Sequence, residues 1–432
     1  MKKGIRLLCL LLAVCMLGGC AVPPPADQEP TSTQGGAKTG GDAMTQLAVE
    51  PRQISFNLDS PRNQDISAVI NRMNQFSLEI WSRVAQEEDD YIFSPFSVYL
   101  ALACLSGGTV GETYEELRAV LYPEGMSRED FNTAVGNLID LLTADLGEDH
   151  AIIDIAGLIC TRNDYRISME FAQAAQDYYA SDAASVDFGD PATIDAMNKW
   201  VEEATRGLVK EPFKEDFDPS TVMVLMNSLY FEAKWAWPFT EDATSVQTFH
   251  GRDGDTTVEM MVRESPLAYY KTKDLQFARQ HYTGGAYMDI FLPERNTDTK
   301  AVLPLVAQMD ERWLSSEENV LLKMPKYEMQ TDIGLNEILE AMGMPSMFGG
   351  GLDNLVEEGG GGLFVSLVRQ CAKIEVDEKG TKAAAVTIVA IAESVPPEPV
   401  RMTVDRPYLY KIGLPVGDYG ELILFVGEIN NL

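Results

Sequence analysis

Histidine is nearly absent from this chain: among 432 residues there are three, His150, His250 and His281, in unrelated surroundings. A serine hydrolase needs a base beside its nucleophile, and only these three could supply an imidazole. No G-x-S-x-G elbow, H-E-x-x-H helix or Walker-type loop occurs in the sequence. Asp253-Gly254-Asp255 lacks the ligand spacing of a calcium loop and suits a turn between strands. The glycine runs Gly349-Gly350-Gly351 and Gly359 to Gly362 lack a Gly-Lys-Ser/Thr ending. They suit a flexible connector, and the carboxylates Glu357 and Glu358 lie within it. The chain is therefore expected to hold no catalytic residue, no metal and no cofactor.

Cysteine is also sparse. Of six, Cys9 and Cys15 lie in an apolar leader and Cys20 follows it. That leaves Cys104, Cys160 and Cys371, an odd number without CxxC spacing, which argues against a metal cluster or a disulfide framework. Buried free thiols are expected. Basic residues are outnumbered, 34 against 66 acidic, for a net charge of -32. Such a field repels nucleic acid and anionic headgroups and favours basic partners.

No apolar run is long enough for a membrane span, which needs about 20 residues. The longest, Leu7 to Leu17, follows Lys2, Lys3 and Arg6 and suits a signal peptide. Leu17-Gly18-Gly19-Cys20 resembles a bacterial lipobox. Residues 1–19 are thus expected to be a lipoprotein-type signal peptide, with a diacylglyceryl group on Cys20. The expected location is extracytoplasmic, on the cell envelope or secreted. Residues 20–55 carry Pro23-Pro24-Pro25, Gly35-Gly36 and Gly40-Gly41 and few bulky apolar groups, the composition of a flexible linker. Residues 56–432 form one large domain without internal repeats.

Helical periodicity runs from Ile66 to Val84, and Ser94-Pro95 opens another helix through Leu105. Short apolar runs at Ala151–Ile159, Thr221–Phe231, Val320–Lys326, Leu363–Val368 and Leu422–Val426 suit strands. Helices come first and strands later, which predicts an α+β fold.

Six motifs then appear in order. Ile92-Phe93-Ser94-Pro95-Phe96-Ser97 leads into Gly107-Gly108-Thr109, and Asp187-Phe188 precedes Met197-Asn198-Lys199-Trp200. Met226-Asn227-Ser228-Leu229-Tyr230-Phe231-Glu232-Ala233-Lys234-Trp235 follows, then Met324-Pro325-Lys326-Tyr327, Asp405-Arg406-Pro407-Tyr408 and Leu424-Phe425-Val426-Gly427. The chain resembles serpins over this whole span. The resemblance implies a serpin fold of three β-sheets with about eight or nine helices and an exposed reactive-centre loop, in a monomeric inhibitor of serine-type proteases. It places Ser94, Ser97 and Asn198 at the family's shutter and Trp235 at the breach where sheet A opens. The family's shutter histidine falls on Gln370, which can bond the serines but cannot titrate. Asp90 replaces a usual asparagine.

Glu375-Val376-Asp377-Glu378-Lys379-Gly380-Thr381-Lys382-Ala383-Ala384-Ala385-Val386-Thr387 resembles the serpin hinge, with Glu378, Gly380, Thr381, Ala383, Ala384 and Ala385 as its key positions. After cleavage this loop would enter sheet A as a central strand, as is known of serpins. Side chains would alternate between faces, with Thr381, Ala383, Ala385, Thr387, Val389 and Ile391 inward. No charge falls on that set, and no proline occurs from Gly380 to Ser394. Thr381 is expected to enter first. The scissile bond is Ser394-Val395 by loop length or Glu393-Ser394 by the Ser-x-Pro-Pro-Glu pattern. Residues Val389 to Ala392 suit an elastase- or subtilisin-like protease, and Glu393 a glutamyl-specific one. No Lys or Arg lies between Lys382 and Arg401, so trypsin-like targets are not expected.

Overall fold

A computed structural model describes residues 43–52, 64–144, 150–357, 362–381 and 398–432. The chain opens with strand β1 (Met44–Gln46) and helix α1 (Gln64–Glu87), then strand β2 (Tyr91–Phe93). Helices α2 (Pro95–Ser106), α3 (Gly111–Leu121) and α4 (Arg128–Thr143) follow. Next come β3 (Ile152–Arg162), α5 (Met169–Tyr179), β4 (Ser181–Val186), α6 (Ala192–Ala204) and β5 (Met223–Lys234). A strand-rich stretch holds β6 (Ser245–His250), β7 (Asp255–Lys271), β8 (Leu275–His281) and β9 (Tyr287–Pro293). After α7 (Thr299–Val306) come β10 (Glu317–Pro325), β11 (Tyr327–Gly334) and α8 (Asn336–Ala341). The last strands are β12 (Leu367–Val376), β13 (Gly380–Thr381), β14 (Val400–Thr403), β15 (Tyr408–Pro415) and β16 (Glu421–Ile429).

The two helices expected from periodicity are present. In α1, Ile66, Val69, Ile70, Met73 and Phe76 all face the core. In α2, Ser94 caps the first turn and Pro95 occupies the first helical position, where its missing N–H costs nothing. Every residue of α2 is buried, as befits a helix wrapped by the fold rather than laid upon it. Four of the five expected strands lie within or overlap β3, β5, β10 and β16. The fifth, Leu363–Val368, is mostly extended loop. Leu363 and Val365 are buried, but Val365 N–H bonds Met347 O and Ser366 N–H bonds Met223 O outside a ladder. The strand starts at Leu367 and alternates half-buried with buried residues to Val376.

Sheet A has the order β1-β4-β3-β5-β13-β12-β11. The other nine strands form one continuous ladder with two lobes joined through β7. Its first part pairs with β6 and β10, and its last residues, Ala268–Lys271, pair with β8. The described strands thus form two hydrogen-bonded sheets, the second with two lobes that share β7. Sheet A is covered on both faces. α2 and the main core lie on one side, while α6 encloses a smaller core of Leu158, Cys160, Met197, Trp200, Val224 and Met226 on the other. This explains why β5 reads as a nearly continuous apolar run.

Residues 43–52, expected in the flexible linker, lie against the body. β1 pairs antiparallel with β4 at the edge of sheet A, matching Met44 with Val186 and Gln46 with Ala184. Glu50 N–H donates to Gln173 Oε1 at 3.0 Å, and Gln173 Nε2 returns a bond to Glu50 O at 3.2 Å. Arg52 donates to Asp140 Oδ1 from Nε at 3.0 Å and Nη2 at 2.7 Å, and also to Gly136 O and Asp177 O. An unpaired edge strand exposes its N–H and C=O groups; here a segment before the first helix fills it.

Candidate functional site

The site lies where sheet A is incompletely zipped. β5 and β12 pair in parallel only from Val224–Asn227 against Leu367–Gln370. Beyond that, Ser228–Glu232 and Cys371–Glu375 face each other without ladder pairs. At the far end the two-residue strand β13 stands between them, Thr381 paired with Val376 on one side and Ala233 on the other. Sheet A thus has a closed end, an unzipped middle and a wedge.

The wedge is built by a turn. Asp377 Oδ1 accepts from the N–H groups of Lys379 (2.8 Å) and Gly380 (3.0 Å), and Asp377 N–H donates to Gly380 O. Gly380 is required by close approach: a Cβ there would sit 2.2 Å from Ala233 O. Thr381 is 4% exposed, and its hydroxyl lies 2.7 Å from Tyr282 Oη. Burial pushes the Tyr282 phenol well above its ordinary range, so it stays a neutral donor or acceptor for Thr381. Trp235 stacks on Tyr282 at 4.2 Å and 10°. Its indole N–H donates to Asp377 O at 2.9 Å, and its backbone N–H to Lys379 O at 2.8 Å. Trp235 is therefore the floor and the clasp of the turn that carries β13.

Glu378 completes the grip. Its carboxylate accepts from Thr244 Oγ1 at 2.9 Å and Lys326 Nζ at 3.1 Å, and its carbonyl accepts from Phe239 N–H at 2.8 Å. Burial alone would raise its pKa, but the hydrogen bonds to the charged form outweigh it and hold the carboxyl below its ordinary value. Lys379 pairs with Glu241 at 3.3 Å.

The serine cluster sits at the closed end. Ser94 Oγ donates to Leu424 O at 2.8 Å and accepts from Ser97 N–H at 3.2 Å; Ser97 Oγ donates to Asn227 Oδ1 at 2.7 Å. Two expectations change here. Asn198 does not join the serines: it lies on α6, across sheet A, and its amide both donates to and accepts from the Phe213 backbone at 2.9 Å. Asn227, inside the longest motif, takes that place because β5 passes directly over α2. Gln370 also makes no bond to the serines. It is 1% exposed, its Nε2 donates to Cys371 O at 3.3 Å, and its Oε1 has no partner. Asn227, its register partner, likewise has an unpaired Nδ2. Asp90, which stands in place of a usual asparagine, has its own task, accepting the N–H groups of Asn430 and Asn431.

Glu378, Gly380, Thr381 and Trp235 thus come together around the wedge, and Ser94 and Ser97 at the closed end. Ala383, Ala384, Ala385, Glu393, Ser394, Val395 and Cys20 lie outside the described residues. Tyr282, Thr244 and Lys326 went unassigned in the sequence, since nothing local marks a residue whose partner is far along the chain. Asp377 did carry a signal: an Asp three residues before a Gly favours this turn.

Comparison with known proteins gives a consistent answer. A family model described as Serpin (serine protease inhibitor) matches residues 71–432. The chain is 29% identical to Iripin-2 of Ixodes ricinus over 387 residues, covering 85% of this chain and 95% of that one. It is 28% identical to an uncharacterized serpin-like protein of Thermococcus kodakarensis over 444 residues, covering 100% and 99%. Among solved structures it is similar to the thermophilic serpin tengpin in the native state, with TM-score 0.76, 26% identity, and 89% and 98% coverage. Serpin48 of the insect Tenebrio molitor matches with TM-score 0.73 and 26% identity, covering 87% and 100%.

Proposed function

The chain belongs to the serpin family, whose members are mostly protease inhibitors rather than enzymes, and on that footing we propose that it is a suicide-substrate inhibitor of an elastase- or subtilisin-like serine protease. The observation that carries this is the wedge: Gly380 and Thr381 already stand as the first rung of a strand, above an unzipped gap in sheet A.

Continuing the register of both neighbours shows what the gap would accept. Thr381 lies opposite Ala233 and Val376, so each further residue moves one position down both strands. Thr387 would then arrive between Asn227 and Gln370, with the same facing as Thr381. Its hydroxyl can accept from Asn227 Nδ2 and donate to Gln370 Oε1, the two buried atoms now lacking partners. The inward residues above it, Ala383 and Ala385, are small and uncharged. A strand of ~12 residues bonded on both sides gains of order 10–20 kcal/mol, at about 1 kcal/mol net per bond. That matches or exceeds the ~5–15 kcal/mol stability of an ordinary domain, so the uncleaved fold would be held by a barrier. A protease still acylated when the strand enters would be carried with it.

The absence of Lys and Arg from Ala383 to Val400 supports a target that cuts after small or apolar residues. The lipobox-like Leu17-Gly18-Gly19-Cys20 supports anchoring through lipid on Cys20 at an extracytoplasmic face. The test is direct. Incubation with an elastase should give an SDS-resistant complex and a new N-terminus between Ala392 and Val395. Cleavage there without a complex would leave a decoy or binding protein.

A further inference from the structure

Behind the hinge clasp, β7 and β8 hold a buried cation with no counter-charge. Arg263 is 7% exposed and pairs in register with Leu322, a fully buried residue. One Nη donates to Trp237 O and the other to Gln280 Oε1 at 2.6 Å. No carboxylate lies within ion-pair distance of it among the described residues, in a chain with 66 acids. Three neighbouring buried atoms have no partner: Arg263 Nε, Ser265 Oγ and Gln280 Nε2. Ser265 is two residues along the same face of β7, and Gln280 is 0% exposed. Gln280 Nε2 sits on the same amide as the oxygen that touches the guanidinium, and Ser265 shares a face of β7 with Arg263.

The chemistry of these orphans is one-sided. Arg Nε–H and Gln NH2 can only donate, and Ser O–H can donate. Buried polar groups are nearly always satisfied, and an unpaired buried charge is costly. A water could satisfy some donors but would leave the charge uncompensated. Burial with no facing acid also lowers the guanidinium pKa to about 10.

We propose that Arg263, Ser265 and Gln280 form a receptor for a small monovalent anion, a halide or a carboxylate group, beneath the Trp235–Phe239 segment. The Phe239 ring lies 5.5 Å from Arg263 Cζ, and Phe239 N–H holds Glu378 O. An anion there firms the support of the hinge.

The experiment compares chloride and formate with gluconate, which is too large to enter, at constant ionic strength. Chloride or formate should raise the thermal midpoint of the purified chain saturably, by about 3 °C; which of the two acts at lower concentration separates a halide site from a carboxylate site. Gln280→Glu builds a carboxylate against Arg263 and should give the raised midpoint in gluconate alone, with no further response. Arg263→Met should lose the response. A wild-type midpoint indifferent to the exchange, or an equal response in Gln280→Glu, overturns the proposal.

Discussion

Thr381 is the residue on which the proposed trapping mechanism is most open to test. Its side chain is already buried against Tyr282 in the uncleaved fold, so Thr381→Arg acts twice. It ejects the hinge from the breach, since a cation without a partner costs several kcal/mol there, and it blocks re-entry after cleavage. The variant should be cut at the same bond and release active protease, with no SDS-resistant complex. Lys382→Glu, on the opposite facing, should change little. Full trapping by Thr381→Arg would sink the insertion mechanism. Glu378 gives the pH dependence. Its carboxyl is held below the ordinary value in the folded state, so the grip is complete above the unfolded pKa of about 4.3. It is lost as pH falls through the lowered folded value. A fluorescence transition on acidification that disappears in both Glu378→Gln and Trp235→Phe would report this release; a transition unchanged in Glu378→Gln would assign it elsewhere.

At the scale of elements, the shortest strands matter most. β13 has two residues and β1 three; β1 extends the edge of sheet A and β13 enters between β5 and β12. β13 was legible in part: the Asp377-to-Gly380 turn and the alternation beyond it are local. β1 was not legible, because Met44-Thr45-Gln46 is too short to show a period and its composition resembles that of the linker. Arg52 makes the docking measurable. Its side chain is 11% exposed and that of Asp140 3%, at 2.7 Å. Arg52→Ala should lower stability by about 3 kcal/mol, the cost of breaking a buried pair. It should appear as a shifted urea midpoint with unchanged slope. A loss below about 0.5 kcal/mol would mean a merely superficial contact.

The whole molecule is arranged around an unfinished sheet. The main core is continuous through both sheets, while the gap below β13 leaves ladder groups of β5 and β12 without strand partners across it. Completing the sheet should stabilise the chain more than an ordinary cut loosens it. The chain nicked in its reactive loop is expected to unfold at least about 10 °C above the intact one by calorimetry. Midpoints that coincide would show that the loop stays outside after cleavage.

Much of this protein could be read without coordinates. The amphipathic stripe of α1, the Ser94-Pro95 helix start and the apolar run of β5 are local patterns, and local patterns set element type. The six ordered motifs specified the family, and the scarcity of histidine argued against hydrolase chemistry. Position across the sheet was another matter. A strand pattern has period two and reads the same whichever rung it begins on; here Gly380 passing under Ala233 O sets the rung. Whether Asn198 or Asn227 meets Ser97 depends on which side of sheet A each lies, as does the unanswered amide of Gln370. Arg263 lacks a counter-charge only because no acid from elsewhere in the chain reaches it. Such contacts join separate elements, as Ser97 meets Asn227 across 130 positions, and only the packed fold, which decides what each buried group meets, could settle them.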